Sequence, residues 1–217
     1  MILIEKTQIM GLEPTIRGMR NPMNSWAKSD TTFYDDGEYH DICGNSGPAN
    51  APDDCDMARA GSADGKFRRM IAVYVDITAP LYWWKEFDTY KVGTVANSCS
   101  TMHKIHAKEF EPEDFSHDHL MGDGEWFDVG DIHGLMEPLK LPSFTSRELL
   151  QIIIGALNCY RKRYLETKDK LYWWQMIQLL PSSYNQKRTV MLNYEVLSNI
   201  YQHRRNHKLD EWRELCK

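Results

Sequence analysis

The chain has 217 residues, 42% hydrophobic and 26% charged, an ordinary composition for a globular protein with one sizeable core. Its net charge of -5 argues against a general binder of nucleic-acid polymers, which would carry a basic excess. No apolar run approaches the roughly 20 residues of a membrane span.

In chain order, "ILIEKTQIM" alternates as an opening strand, and "LEPTIRGMR" suits a short helix. Residues 21–56 are rich in Asn, Asp, Gly, Ser and Pro and read as a long excursion, because no independent core precedes them. "RRMIAVYVDI" is the clearest strand, with Ile71, Val73, Val75 and Ile77 on one face. Pro80 stands where a helix would start in "APLYWWKEFDTY", and "KVGTVANSCSTMHK" leads into extended structure. Residues 109–142 are acidic, broken by Gly and Pro, and read as loop with short helical turns. A capping box from Thr145 to Glu148 opens a long helix to about Lys168. A second helix covers about 170–180 and stops at Pro181. A third is expected from about Gln186 to His203, and "IYQHRRNHKLDEWREL" continues it or forms a fourth. The sum is an α+β single domain over 1–217, with a small antiparallel sheet and a mostly helical C-terminal half. The sheet region spans 67–107 and the helical region 143–217.

Several chemistries compete for these residues. No GxGxxG and no GxxxxGK[ST] occurs, so neither a Rossmann turn nor a P-loop is present. "GDGEWFDVGDIHG" is glycine-rich but acidic, which would repel phosphate, and it reads as loop. His203, His207 and Glu211 would share a face on a continuous helix. His103 with His106, and His117 with His119, are further pairs, but each is short of a complete ligand set, and no metal is assigned. Cys99 and Ser100 have histidines nearby but lack a nucleophile elbow, and no catalytic residue is assigned. Five widely spaced cysteines without CxxC, and no evident signal peptide, point to reduced thiols in a cytoplasm. Seven Trp and eleven Tyr could line a pocket, an interface or the core. "HRRNHK" is followed at once by "DEWREL", the pattern of a solvated helix face. A single guanidinium facing inward is different, because its fork suits one phosphate. Asn193 and Arg204 are eleven residues apart, about three turns, so on one helix they would point to the same side.

Two stretches resemble the flavin-dependent thymidylate synthases. "LLPSSYNQKRTVMLNYEVLSNIYQHRRNHKLDEW" is similar to that family's closing region, matching at Leu180, Pro181, Asn193, Leu197, Asn199, Arg204, His207 and Glu211. "IAVYVDITAPLYWWKEFDTYKVGTVANSCSTMHK" resembles its signature region. There Pro80 fits the family Pro, Lys85-Glu86-Phe87 stands for Arg-Gln-Trp, and Asn97 and Ser100 fit the Ser-x-Asn-x-x-Ser tail. The departures are specific. Tyr90-Lys91-Val92 or Thr89-Tyr90-Lys91 replaces Arg-His-Arg, depending on the end counted from. Val95, Ser98 and Met102 replace a Ser, an acid and an Arg, and Ile177 stands where the family has an Arg before Leu-Pro.

The resemblance implies a homotetramer that binds FAD, uses NADPH and methylenetetrahydrofolate, and converts dUMP to dTMP. It implies Arg204, Ser100, Glu86 and Lys85 on the substrate. It places Asn97, Asn193, Asn199, Lys91 and Tyr90 on the cofactor, with the pocket built from residues 80–104 and 181–211. Lys85, Lys91, His103, Lys104 and His106 are the nearby groups that could replace lost arginines. The alternative it leaves is a repurposed homologue that binds a nucleotide or a protein partner without catalysis.

Overall fold

The computed structural model describes residues 2–29, 65–122 and 144–217. Most of the 21–56 excursion, the acidic glycine-rich stretch after Gly122, and Cys43 and Cys55 lie outside the described residues. The fold is α+β. Strands β1 (Leu3–Met10), β2 (Ala72–Pro80), β3 (Thr94–Ser98) and β4 (Asn185–Asn193) form an antiparallel sheet in the order β1-β2-β4-β3. The helices are α1 (Leu12–Met19), α2 (Leu81–Phe87), α3 (Ser146–Thr167), α4 (Lys170–Leu179), α5 (Tyr194–Arg204) and α6 (Asp210–Leu215). Strand β2 buries Val73, Val75, Ile77 and Ala79, the period-2 face expected from its sequence, with Ile71 just ahead of it. Pro80 is the N-cap of α2, in extended conformation.

The chain resolves into two compact units. One comprises residues 1–3, 78–89 and 98–188. Its core is Ile105, Phe110, Phe115, Leu150, Ile154, Leu157 and Met176. Helix α3 supplies Leu150, Ile154 and Leu157 from one stripe at spacings of four and three, and α4 packs against it. Thr145 Oγ1 accepts from the Glu148 amide at 3.2 Å, and Glu148 Oε2 accepts from the Thr145 amide at 2.8 Å. Thr145→Ala removes half of that reciprocal cap and is expected to cost about 1 kcal/mol, seen as a lower urea midpoint with an unchanged slope.

The other unit comprises residues 4–77, 90–97 and 189–217. Its apolar cluster is Leu12, Ile16, Met19 and Ile71, joined by Ile9, Phe67 and Tyr194.

The structure overturns one element. Asn185–Asn193 is strand β4, not the first half of a helix from Gln186 to His203. Gln186, Val190 and Leu192 are buried, and Thr189 Oγ1 donates to Asp76 Oδ1 at 2.6 Å across to β2. Helix formers such as Gln, Lys, Arg, Met and Leu fill this stretch, but pairing in the sheet overrides their local preference. The helix starts only after Asn193, whose Oδ1 accepts from the Val196 amide at 3.0 Å.

Candidate functional site

Arg204 is the last residue of α5 and is half-buried. Its Nε donates to Tyr90 Oη at 3.0 Å, and its guanidinium carbon lies 5.0 Å from the Trp212 ring centre and 5.7 Å from that of Tyr90. The Tyr90 and Trp212 rings meet edge to face at 5.9 Å and 61°. Two aromatic rings and a phenol oxygen therefore hold the guanidinium in place, which reduces the rotamer entropy lost when it takes an anion. Trp212 is fully buried on α6, next to the buried Glu211.

The turn between α5 and α6 is ordered by His207. Its amide donates to the Arg204 carbonyl at 2.9 Å, and its Nδ1 accepts from the Leu209 amide at 3.2 Å, which puts a neutral ring's proton on Nε2. Arg205 and Lys208 are exposed. The continuous helix that would align His203, His207 and Glu211 does not form, because α5 ends at Arg204 and α6 starts at Asp210. Among the described residues no cluster of three or more His, Cys, Asp or Glu could hold a metal ion.

Asn193 does not share a helix face with Arg204, since it is the extended N-cap residue of α5. Its Nδ2 approaches Gly93 so closely that a Cβ there would lie 2.4 Å away, and Gly93 has φ +75°. Only glycine fits both conditions. The next residue, Thr94, buries an Oγ1 that has no hydrogen-bond partner among the described residues. Lys91, before β3, and Asn97, on it, are exposed, as is Asn199 on α5. Tyr90, Lys91, Asn97, Asn193, Asn199 and Arg204 thus belong to one compact unit, in which Arg204 Nε donates to Tyr90 Oη.

Lys85, Glu86 and Ser100 belong to the other unit. Lys85 is exposed on α2, and Glu86 is half-buried. Ser100 Oγ accepts from the amides of Met102 and His103 at 3.3 and 2.8 Å, closing a turn. His106 stacks edge-on against Tyr164 at 4.9 Å, while His103 and Lys104 are exposed.

The contacts of two groups escaped the sequence reading. Trp212 stood in "DEWREL" with no periodic signal to mark it as a partner of Arg204. Arg188 lies 4.2 Å over the Trp84 ring, pairs with Asp88 at 2.7 Å and donates from Nε to Gln186 Oε1 at 2.9 Å. Asp88 and Arg188 are 100 residues apart, so no local pattern could reveal the pair. Elsewhere, a hydrogen bond from Arg69 holds the Glu195 carboxyl below its ordinary range, against the opposing effect of burial, and the same bond raises Arg69.

The antiparallel sheet and its helices define the class of fold, that of the flavin-dependent thymidylate synthases. Particular structures carry the likeness. A crystal structure of thymidylate synthase X (ThyX) from Helicobacter pylori with FAD and dUMP superposes with a TM-score of 0.57 at 15% identity, covering 99% of this chain and 88% of that one. A second structure of the H. pylori enzyme, also with FAD and dUMP, gives 0.56 at 15% identity, over 99% and 89%. The sequence matches no protein-family model and no curated protein.

Proposed function

We propose that this chain is a flavin-dependent enzyme that methylates a pyrimidine deoxynucleotide, most simply dUMP to dTMP. The observation that carries the reading is the fold likeness over 99% of the chain to structures that hold FAD and dUMP. The held guanidinium of Arg204, at the position matching the family's arginine, supports it. Arg204 would take the nucleotide in its own unit, and Ser100, Lys85 and Glu86 are proposed separately as substrate-binding residues of the other unit. Under this reading the protein is a cytoplasmic homotetramer, NADPH supplies the hydride and methylenetetrahydrofolate the carbon.

The residues proposed for FAD fit its chemistry in part. A flavin edge needs neutral donors and acceptors, and the Asn193 Nδ2, the Thr94 Oγ1 that has no partner among the described residues, and the exposed amides of Asn97 and Asn199 are of that kind. Lys91 is the cation for its phosphates, and the Tyr90 ring offers an aromatic face. When bound, the flavin would supply the redox step, while these side chains bind and orient it.

A specific observation favours a second reading, a homologue that binds a nucleotide or protein partner without catalysis. Val95 and Met102, which replace a Ser and an Arg of the signature, are 63% and 51% exposed and offer no donor to a phosphate. The test is the absorbance of freshly purified protein. A flavin band near ~450 nm that survives desalting after FAD addition is the expected result, and its absence refutes the flavin reading. Tritium release from 5-labelled dUMP, with NADPH and folate supplied, then separates turnover from binding alone.

A further inference from the structure

We propose that the unit containing α5 carries a second small-molecule site, a cavity of about 430 Å³ that takes an apolar monoanion of the medium-chain fatty carboxylate type. It shares no residue with the Arg204 constellation, and the inference does not depend on the flavin reading. Leu12, Ile16 and Met19 of α1 line the cavity together with Phe67, Ile71 and Leu197. The volume falls within the roughly 300–1,000 Å³ typical of small-ligand sites.

The charge specifies the ligand. Arg68 lines the cavity, and its one hydrogen bond among the described residues is a long contact, 3.4 Å from Nη1 to Ser198 Oγ. Its Nε is buried with no partner among the described residues. The neighbouring acid, Glu195, attracts Arg68 but gives both carboxylate oxygens to Arg69. The remaining lining groups, Tyr194, Tyr201 and Ser198, are neutral, and the guanidinium over the Tyr201 ring, that of Arg205, adds a second positive charge. Arg68 is partly buried at the rim of an apolar cavity, and a guanidinium there is stabilised by an anion that reaches it. A ligand with one carboxylate and a hydrocarbon body meets both demands. A sugar or nucleotide would leave its hydroxyls unpaired against the apolar wall.

Isothermal titration of the full chain with sodium decanoate and with 1-decanol, both below their aggregation limits, tests the site. Decanoate is expected to bind at one site at least tenfold more tightly than decanol, and octanoate about fifteenfold more weakly than decanoate, at about fourfold per methylene. Arg68→Met should bring decanoate down to the level of decanol and leave decanol unchanged. Leu197→Trp, which fills the cavity, should abolish both, and it keeps the test decisive should Arg68→Met fail to fold. Added FAD should leave decanoate affinity unchanged. The proposal is overturned if wild-type protein does not bind decanoate, if acid and alcohol bind equally, if neither variant alters binding, or if FAD displaces the acid.

Discussion

Arg204→Ala is expected to weaken dUMP binding about 10- to 150-fold, the equivalent of the ~1.5–3 kcal/mol carried by one charge-assisted hydrogen-bonded group. The side chain is already placed by Tyr90 Oη at 3.0 Å and by the Trp212 ring at 5.0 Å, contacts that the alanine variant also loses. Arg204→Lys keeps the charge but loses the planar fork and its stacking, and should fall between the two. Tyr90→Phe removes only the phenol contact and should cost the least. Calorimetric titration of dUMP into each variant, with circular dichroism to confirm folding, gives the ranking. An alanine variant that binds dUMP as well as the parent would remove Arg204 from the site.

Trp84→Ala should be the most destabilising of the substitutions considered, at about 3–5 kcal/mol, a large part of the ~5–15 kcal/mol that holds a typical domain folded. The ring is 1% exposed and meets Trp83 at 4.9 Å and Phe87 at 5.2 Å, both edge to face. Its Nε1 donates to the Gln186 carbonyl at 2.9 Å, and Arg188 covers its face at 4.2 Å. Truncation would open a cavity, remove the indole hydrogen bond and uncover the guanidinium at once. Trp84→Phe keeps most of the packing and should cost roughly 1–3 kcal/mol, mainly for the lost indole hydrogen bond. Urea unfolding measures both, and a loss below about 1 kcal/mol in the alanine variant would contradict this account.

Elements with a strong local signal were legible before any tertiary contact was known. The alternation around Ile71–Ile77, the Thr145–Glu148 box and Pro181 each state a local rule, and β2, α3 and the end of α4 obey it. "NQKRTVMLN" states no such rule. Its residues tolerate a helix, and they form a strand because β2 and β3 are there to pair with it. The same pairing makes Asn193 an N-cap instead of a mid-helix residue, and so removes the helical spacing that would aim it beside Arg204.

The candidate site divides in the same way. Sequence alone singled out Arg204, because a motif match needs only residue identity and spacing. It also exposed the loss of the signature arginines, which is a matter of composition at known positions. Only the folded chain brought Tyr90 and Trp212 onto that guanidinium, since Tyr90 is 114 residues from Arg204 in sequence and neither belongs to a common periodic pattern. The same holds for Gly93 against Asn193 and for Arg68 on the α1 cavity. Local propensity and spacing determine which residues can act. Contacts between distant segments, which depend on burial and sheet pairing, decide which of them meet.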